Sequence, residues 1–355
     1  MTLYDQTEYM EDVQRIAQMH LPWERLAGRS VFLSGAAGMI GSFLTDVILE
    51  KNRLSGLNCT VCAWVRSLTR ARARFSRYLA DDRLVLVPCD VNRPLPLEDT
   101  LKADYVLHLA SNTHPLSYAS DPVGTIMTNI VGLKNLLDFS VAHGAVRFLF
   151  ASSNEIYGEN RGDVEFFDEA YCGYINPNTL RAGYPESKRC GEALCQAYRT
   201  SRQLEVVIPR LTRSYGPTML MTDTKAVSQF IKNGIRGEDV VLKSPGNQHY
   251  SFLYAGDSVS GILTVLLLGK DGEAYNIADA GSDVTLKELA AVIAEAAGRK
   301  VIFESPDPLE AAGYSRATKA RLSGDKLRAL GWKPMYGLRT GLERTMAILR
   351  EVSNI

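Results

Sequence analysis

The sequence predicts an α/β protein: a doubly wound parallel sheet with a smaller, mostly C-terminal α/β unit beside it. Three observations carry this expectation. Short β-rich runs alternate with helical stretches from Ser30 to Leu211, the rhythm of parallel strands joined by crossover helices. A glycine-spaced turn, SGAAGMIG, stands between the first such strand and the first helix. The chain has 355 residues, too many for one ordinary core and suited to about two domains.

Residues 1–28 form an extension in which Met10, Val13, Ile16, Ala17 and Leu21 recur at helical spacing and stop near Pro22. They predict a helix packed on the core. SVFLSG then reads as a strand, followed by a helix from about Met39 to Lys51. The strand CTVCAWV leads into an Arg-rich helical segment through Leu79, and LVLVPCD and YVLHLA follow as strands. A helix is expected from about Pro122 to His143, then the strand RFLFAS, a helix from Pro185 to Thr200, and the strand EVVIPRL. Beyond Leu211 the rhythm loosens. PGNQHYSFLYAGD reads as loop and AYNIAD as strand, while TLKELAAVIAEAAG is a helix capped by Thr285 and ended by Gly298. The expected division is an extension at 1–28, a dinucleotide-binding domain at 29–211 to which 250–280 return, and a substrate-binding domain from 212–249 and 281–355.

Lys+Arg and Asp+Glu each number 40, so no global field recruits nucleic acid or an anionic membrane. The longest apolar run, Gly261 to Gly269, is half of the roughly 20 residues a membrane span requires. The first residues, MTLYDQTEYMEDVQ, are polar and acidic, unlike a signal peptide. Cys59 and Cys62 mimic a CxxC, but a strand puts them on opposite faces, and no second Cys or His pair completes a zinc site. The six cysteines are expected to be buried, inert thiols in a reducing cytoplasm, with no metal bound. A cytoplasmic enzyme is the class to test.

The chemistry begins at the glycines. Gly35, Gly38 and Gly41 let the backbone turn tightly and approach a pyrophosphate, and the helix that follows presents N–H donors to it. An acidic partner for the adenine ribose is expected at the end of the second strand, but Trp64-Val65-Arg66-Ser67 has none. Arg66 suits a 2′-phosphate instead, so NAD and NADP both stay open. Asp90, after the third strand, is placed to accept from an adenine amino group. In YPESK, Tyr184 and Lys188 lie one helical turn apart on the same face, with Pro185 in the first turn. A tyrosine titrates near 10, and a base at neutral pH must lie about three units lower, roughly 4 kcal/mol of differential stabilisation. A neighbouring ammonium and the positive ring of a bound nicotinamide are the expected sources. Burying the polar groups of ASSNEIYGEN (151–160) directly after a core strand costs a few kcal/mol unless they face a turn or a reaction.

Together, SGAAGMIG, CDV, HLAS, TNIVGLKNLL, ASSNEIYG, YPESK, PRLTRSYGP and LGWKP resemble the extended short-chain dehydrogenase/reductases of the nucleotide-sugar epimerase, dehydratase and decarboxylase kind, from residue 30 to about 335. The resemblance implies a Rossmann-type fold and a triad of Ser153, Tyr184 and Lys188. In it, Tyr184 takes the proton of a sugar C4 hydroxyl as the cofactor takes the hydride, giving a transient 4-keto sugar. It implies Glu155 as the base or polarising group. It also implies an NAD or NADP site formed by Gly35, Gly38, Met39, Ile40, Gly41, Arg66, Asp90, Val91, Leu109 and Ala110 with Tyr184 and Lys188. Asn129, Arg213, Thr218 and Tyr250 are implied on the substrate side, with Arg210 in support, and a homodimer through the helices at 122–143 and 185–200.

Residues 108–129 and 216–231 look most like the UDP-glucuronate decarboxylase branch. Three positions depart from it. Arg213 replaces an Asn, and Thr218 and Tyr250 replace arginines, so two bidentate partners for phosphate or carboxylate are lost and one is gained. Asn154 departs from the dehydratase Asp-Glu pair and argues against water elimination, which needs an acid there. A 4-epimerase, a 4,6-dehydratase, a net NADPH-dependent reductase and a non-catalytic scaffold are the alternatives.

Overall fold

The computed structural model describes residues 1–95, 102–113, 115–306, 308, 311, 314 and 317–352. The main sheet uses β1 (Ser30–Ser34), β2 (Thr60–Val65), β3 (Leu84–Pro88), β4 (Tyr105–His108), β5 (Arg147–Phe150), β6 (Ser152–Ser153), β7 (Val206–Leu211) and β11 (Ala274–Ile277). Its order is β11-β7-β5-β4-β1-β2-β3, with β6 beside β7, and every pairing is parallel. The chain therefore winds outward in both directions from β1 and β4, and the crevice between their C-terminal ends is where such sheets bind ligands. Helices cover both faces, which is why β1 reads as an unbroken buried run rather than an alternating one.

Two apolar clusters flank this sheet. Val31, Leu33, Val61 and Ala63 face one, and Phe32, Cys62, Trp64, Val106 and Phe148 face the other. Cys59 and Cys62 fall in different clusters, as opposite strand faces require. Cys172 and Cys190 are exposed, a correction to the expectation that the thiols are buried: both lie on polar stretches that no sheet covers.

α1 (Thr7–Ala17) buries Tyr9, Met10, Val13, Ile16 and Ala17, packing chiefly on α2 (Met39–Ser55), which runs one turn past Lys51. The expected long helix is α5 (Pro122–Met127) and α6 (Leu133–Ala142), joined through a π-turn at Thr128–Gly132. Two shorter helices, α3 (Leu68–Arg74) and α4 (Pro115–Ser120), complete this side. α7 (Gly183–Arg202) extends the expected helix at both ends.

A second sheet joins β8 (Arg213–Tyr215), β10 (His249–Tyr254), β12 (Asp283–Thr285) and β14 (Lys319–Ala320). β9 (Val240–Leu242) and β13 (Val301–Phe303) pair separately beside α8 (Ala226–Arg236). The stretch read as loop therefore contains the central strand β10 and leads into α9 (Ala255–Leu268). Its pairing partners are distant in sequence, and local composition does not reveal them. Of residues 250–280, α9 and β11 go back to the main sheet, whereas 250–254 stay in the small one. α10 (Leu286–Ala297) carries the expected cap, a Thr285–Glu288 capping box, and ends at left-handed Gly298. α11 (Leu338–Val352) closes the described chain.

Candidate active site

The glycine turn lies between β1 and α2. Gly35 has φ +74, and a Cβ there would stand 2.7 Å from the Ala110 nitrogen, so only glycine permits this approach to the loop after β4. A Cβ at Gly41 would meet the Gly35 carbonyl oxygen at 2.3 Å. Gly38 is the N-cap of α2, no side chain caps that end, and the first turn holds no acidic residue. Its N–H groups and positive dipole end therefore face the crevice, a cradle that fits a dinucleotide pyrophosphate. Met39, Ile40 and Leu109 line the adjoining cavity. Arg66 follows β2 and Asp90 follows β3, both exposed at the same edge of the sheet. Val91 is buried against Gly132.

At the end of β5 the polar run acquires partners. Ser152 donates to Glu192 at 2.5 Å. The Ser153 hydroxyl accepts the Glu155 N–H at 3.2 Å and hydrogen-bonds Tyr184. The Glu155 carboxylate pairs with Arg181 at 2.5 Å. The Tyr157 hydroxyl donates to Asn276 at 2.6 Å and accepts from Arg210 at 2.9 Å. Some of these groups face a turn and some a cavity.

α7 carries Tyr184 and Lys188 on its buried face. The Lys188 Nζ donates to the Ala151 carbonyl at 2.8 Å and lies 4.7 Å above the Phe150 ring and 6.0 Å from the Tyr184 ring centre. Burial pushes the Tyr184 phenol up to about 12, and the nearby Glu155 charge adds to it, against the Ser153 hydrogen bond and Arg181. Burial likewise lowers Lys188 to about 7. The expected phenolate draws on the nicotinamide ring as well as the ammonium, and the surrounding protein groups by themselves shift both residues the other way. Desolvation outweighs the pairing and drives both groups toward neutrality.

A cavity of about 580 Å³ opens in front of Ser153, Tyr184 and Lys188. Arg213 and Tyr250 line it from the second sheet. Asn129 does not. It is fully buried in the π-turn, where its amide donates to Ser187 and accepts from Ser111, a residue that does line the cavity. Thr218 also stands behind the wall, donating to the Met39 carbonyl at 2.8 Å and tying the second domain to the start of α2. Arg210 is taken up by Glu192 and Tyr157. Asn129 and Thr218, expected on the substrate side, therefore stand behind the wall with their polar atoms taken by buried partners, and Arg210 is engaged in the same way.

Arg181 went unnoticed in the sequence. Its guanidinium pairs with Glu155 and stacks 4.5 Å from the centre of Tyr118, whose ring lies 4.8 Å from that of Tyr184. Its position three residues before Tyr184 was the available signal. Among the described residues no group of three or more His, Cys, Asp or Glu could hold a metal ion, and no helix is long and apolar enough to cross a membrane.

The model of the NAD dependent epimerase/dehydratase family matches residues 31–278. The chain belongs to this family. UDP-glucuronic acid decarboxylase 3 of Arabidopsis thaliana is 34% identical over 316 residues, covering 88% of this chain and 86% of that protein. UDP-glucuronic acid decarboxylase 1 of Xenopus tropicalis is 31% identical over 325 residues, covering 91% and 72%. Among solved structures, the dTDP-glucose 4,6-dehydratase DesIV of Streptomyces venezuelae, with NAD and TYD bound, is 26% identical with a TM-score of 0.76, covering 92% of this chain and 98% of that one. The family resemblance seen in the motifs is thereby confirmed. Within the family's fold the glycine turn and the Ser153–Tyr184–Lys188 cluster converge on one crevice.

Proposed function

We propose that this protein is an NAD-dependent nucleotide-sugar enzyme that oxidises the sugar at C4 and decarboxylates a nucleotide-linked uronate through the 4-keto intermediate. The observation that carries the reading is the meeting of Ser153, Tyr184 and Lys188 with the Glu155–Arg181 pair on one cavity wall. The named relatives support the uronate, and the glycine cradle supports the dinucleotide. NAD is proposed over NADP because the family description and the DesIV complex both name NAD. When bound, NAD takes the C4 hydride and returns it.

The remaining roles belong to the chain. Tyr184 accepts the proton of the C4 hydroxyl, and Ser153 hydrogen-bonds the same oxygen. A ketone at C4 lies β to the C6 carboxylate, so the C5–C6 bond breaks with release of carbon dioxide and its electron pair moves on to the C4 oxygen. Ser153 and Tyr184 are placed to stabilise that charge. C5 then takes a proton from solvent water, and Tyr184 gives its proton back to the C4 oxygen as the ketone is reduced. Arg181 fixes the Glu155 carboxylate beside Ser153, and C5 is assigned to that side in this reading. Lys188 holds the floor of the site through Ala151. The substrate domain, with 250–254 joined to the 212–249 and 281–355 first assigned to it, supplies Arg213 and Tyr250 to the wall.

The test offers UDP-glucuronate, UDP-glucose, dTDP-glucose and CDP-glucose with NAD, following nicotinamide absorbance and product mass. Loss of carbon dioxide from UDP-glucuronate with no net absorbance change is expected. Steady consumption of reduced cofactor, loss of water instead, or no product from any of the four refutes the decarboxylase reading. A homodimer through α5, α6 and α7 goes with it, supported by the exposed Val123 and Met127 of α5. Light scattering that gives a monomer mass at micromolar concentration refutes the dimer. A cytoplasmic location also belongs to this proposal, and cell fractionation checks it.

A further inference from the structure

β8 and β10 run parallel with Arg213 opposite Phe252. Tyr250, two residues back on β10, points to the same face. The Arg213 guanidinium lies over the Tyr250 ring, 3.5 Å from its centre. The ring is itself fixed, because its hydroxyl donates to the Ala317 carbonyl at 2.5 Å. A guanidinium stacked on an anchored aromatic keeps its fork in one plane and loses little further freedom on binding. Its Nη1 is buried without a hydrogen-bond partner among the described residues. A buried donor on a charged group calls for an acceptor from outside the chain, a water or a ligand atom.

Position indicates which acceptor. Arg213 lines the main cavity and also a smaller cleft of about 90 Å³, and the walls they share are Asn154, Glu155, Arg181 and Arg213. It therefore stands on the Glu155 side of Ser153, where the reacting end of the sugar lies in the reading above. Lys225 and Lys243 line the main cavity from the α8 and β9 side and do not border the small cleft. They put positive charge where a diphosphate would be drawn, on that side and away from Arg213. We infer that Arg213, held flat by Tyr250, binds the carboxylate of the sugar and selects a uronate over a neutral hexose, with Tyr250 as its positioning residue. The inference rests on the nucleotide-uronate function proposed above.

The experiment measures binding of UDP, UDP-glucose and UDP-glucuronate by calorimetry to the full chain with NAD, in a Tyr184→Phe background that halts turnover. With Arg213 intact, UDP-glucuronate binds tighter than UDP-glucose. Arg213→Ala should weaken UDP-glucuronate about 10- to 100-fold, the worth of a charge-assisted hydrogen-bonded contact, and leave UDP and UDP-glucose within about threefold. Arg213→Lys, which keeps the charge without the planar fork, should fall between and serves if the alanine variant misfolds. Tyr250→Phe keeps the stacking ring and should retain the preference, whereas Tyr250→Ala should lose part of it. Equal weakening of all three ligands would assign Arg213 to the diphosphate and overturn the inference. So would an unchanged preference in Arg213→Ala. If the parent protein binds UDP but shows no preference for the uronate, the carboxylate reader is refuted while the nucleotide site stands; if it binds none of the three, the underlying function is refuted and the inference falls with it.

Discussion

Replacing Lys188 by Met separates what the lysine does for the fold from what it does for the chemistry. The side chain is 3% exposed, and its one described hydrogen bond runs from Nζ to the Ala151 carbonyl. Burial takes it from 10.5 to about 7, which at 1.36 kcal/mol per pH unit is roughly 5 kcal/mol between its charged and neutral forms. The sign follows from proton counts. In the unfolded chain the lysine holds its proton up to about 10.5, while in the folded protein it releases it near 7. Between those values the unfolded state binds more protons, so folding stability rises with pH. Below 7 both states are charged and the full penalty is present. A methionine of similar length carries no such penalty and forfeits about 1 kcal/mol for the lost hydrogen bond. Lys188→Met should therefore be more stable than the parent near pH 6. That advantage should shrink by about 3 kcal/mol as pH rises to 9.5. Urea unfolding of both ligand-stripped proteins across this range is the assay. A stability difference that stays constant from pH 6.5 to 9.5 would falsify the burial of a titrating amine at this position.

Other perturbations test separate joints of the structure. Tyr184→Phe removes the proton acceptor and should abolish turnover with an unchanged circular-dichroism spectrum; activity near that of the parent would take Tyr184 out of the mechanism. Glu155→Gln removes the carboxylate charge 2.5 Å from the Arg181 guanidinium, 13% exposed, so stability should drop by about 1–3 kcal/mol along with turnover, read from thermal melts and product formation. Gly35→Ala forces a Cβ to 2.7 Å from the Ala110 nitrogen at φ +74, and should abolish the rise in melting temperature that NAD produces; a normal rise would mean the turn is looser than described. Asp12 is fully buried and accepts from Tyr254 and Tyr336, each at 2.6 Å, and from Arg344. Asp12→Ala should lower stability by about 3 kcal/mol by calorimetry, and an unchanged melt would show that the extension is not stapled to the body.

Spacing was the legible part of this chain. The glycine triplet, the strand–helix alternation and the Tyr184–Lys188 turn are properties of neighbouring residues, and each is found where the pattern puts it. The same holds for the Thr285 cap, whose partner Glu288 is three residues away. What escaped depends on residues far apart in the chain. β10 looked like loop because its partners are β8, β12 and β14, and nothing local marks Asp12 as buried because Tyr254, Tyr336 and Arg344 come from beyond residue 250. Arg181 was close enough to see, but its value comes from Glu155 and Tyr118.

The charge state of the tyrosine–lysine pair belongs to this second class. Helical spacing brings the two side chains to one face, and that much is local. Whether the pair is ionised depends on how deeply β5, the Phe150 ring and the second domain enclose it, and enclosure is a property of the whole fold. With burial taking the phenol to about 12 and the amine to about 7, the chain's own groups give neither a phenolate nor a fully charged ammonium at neutral pH. A base at Tyr184 therefore has to be made by what fills the cavity, since the residues around it do not make one on their own. Binding and activation of Tyr184 are then one event in this site, because the protein's own groups leave the phenol protonated at neutral pH.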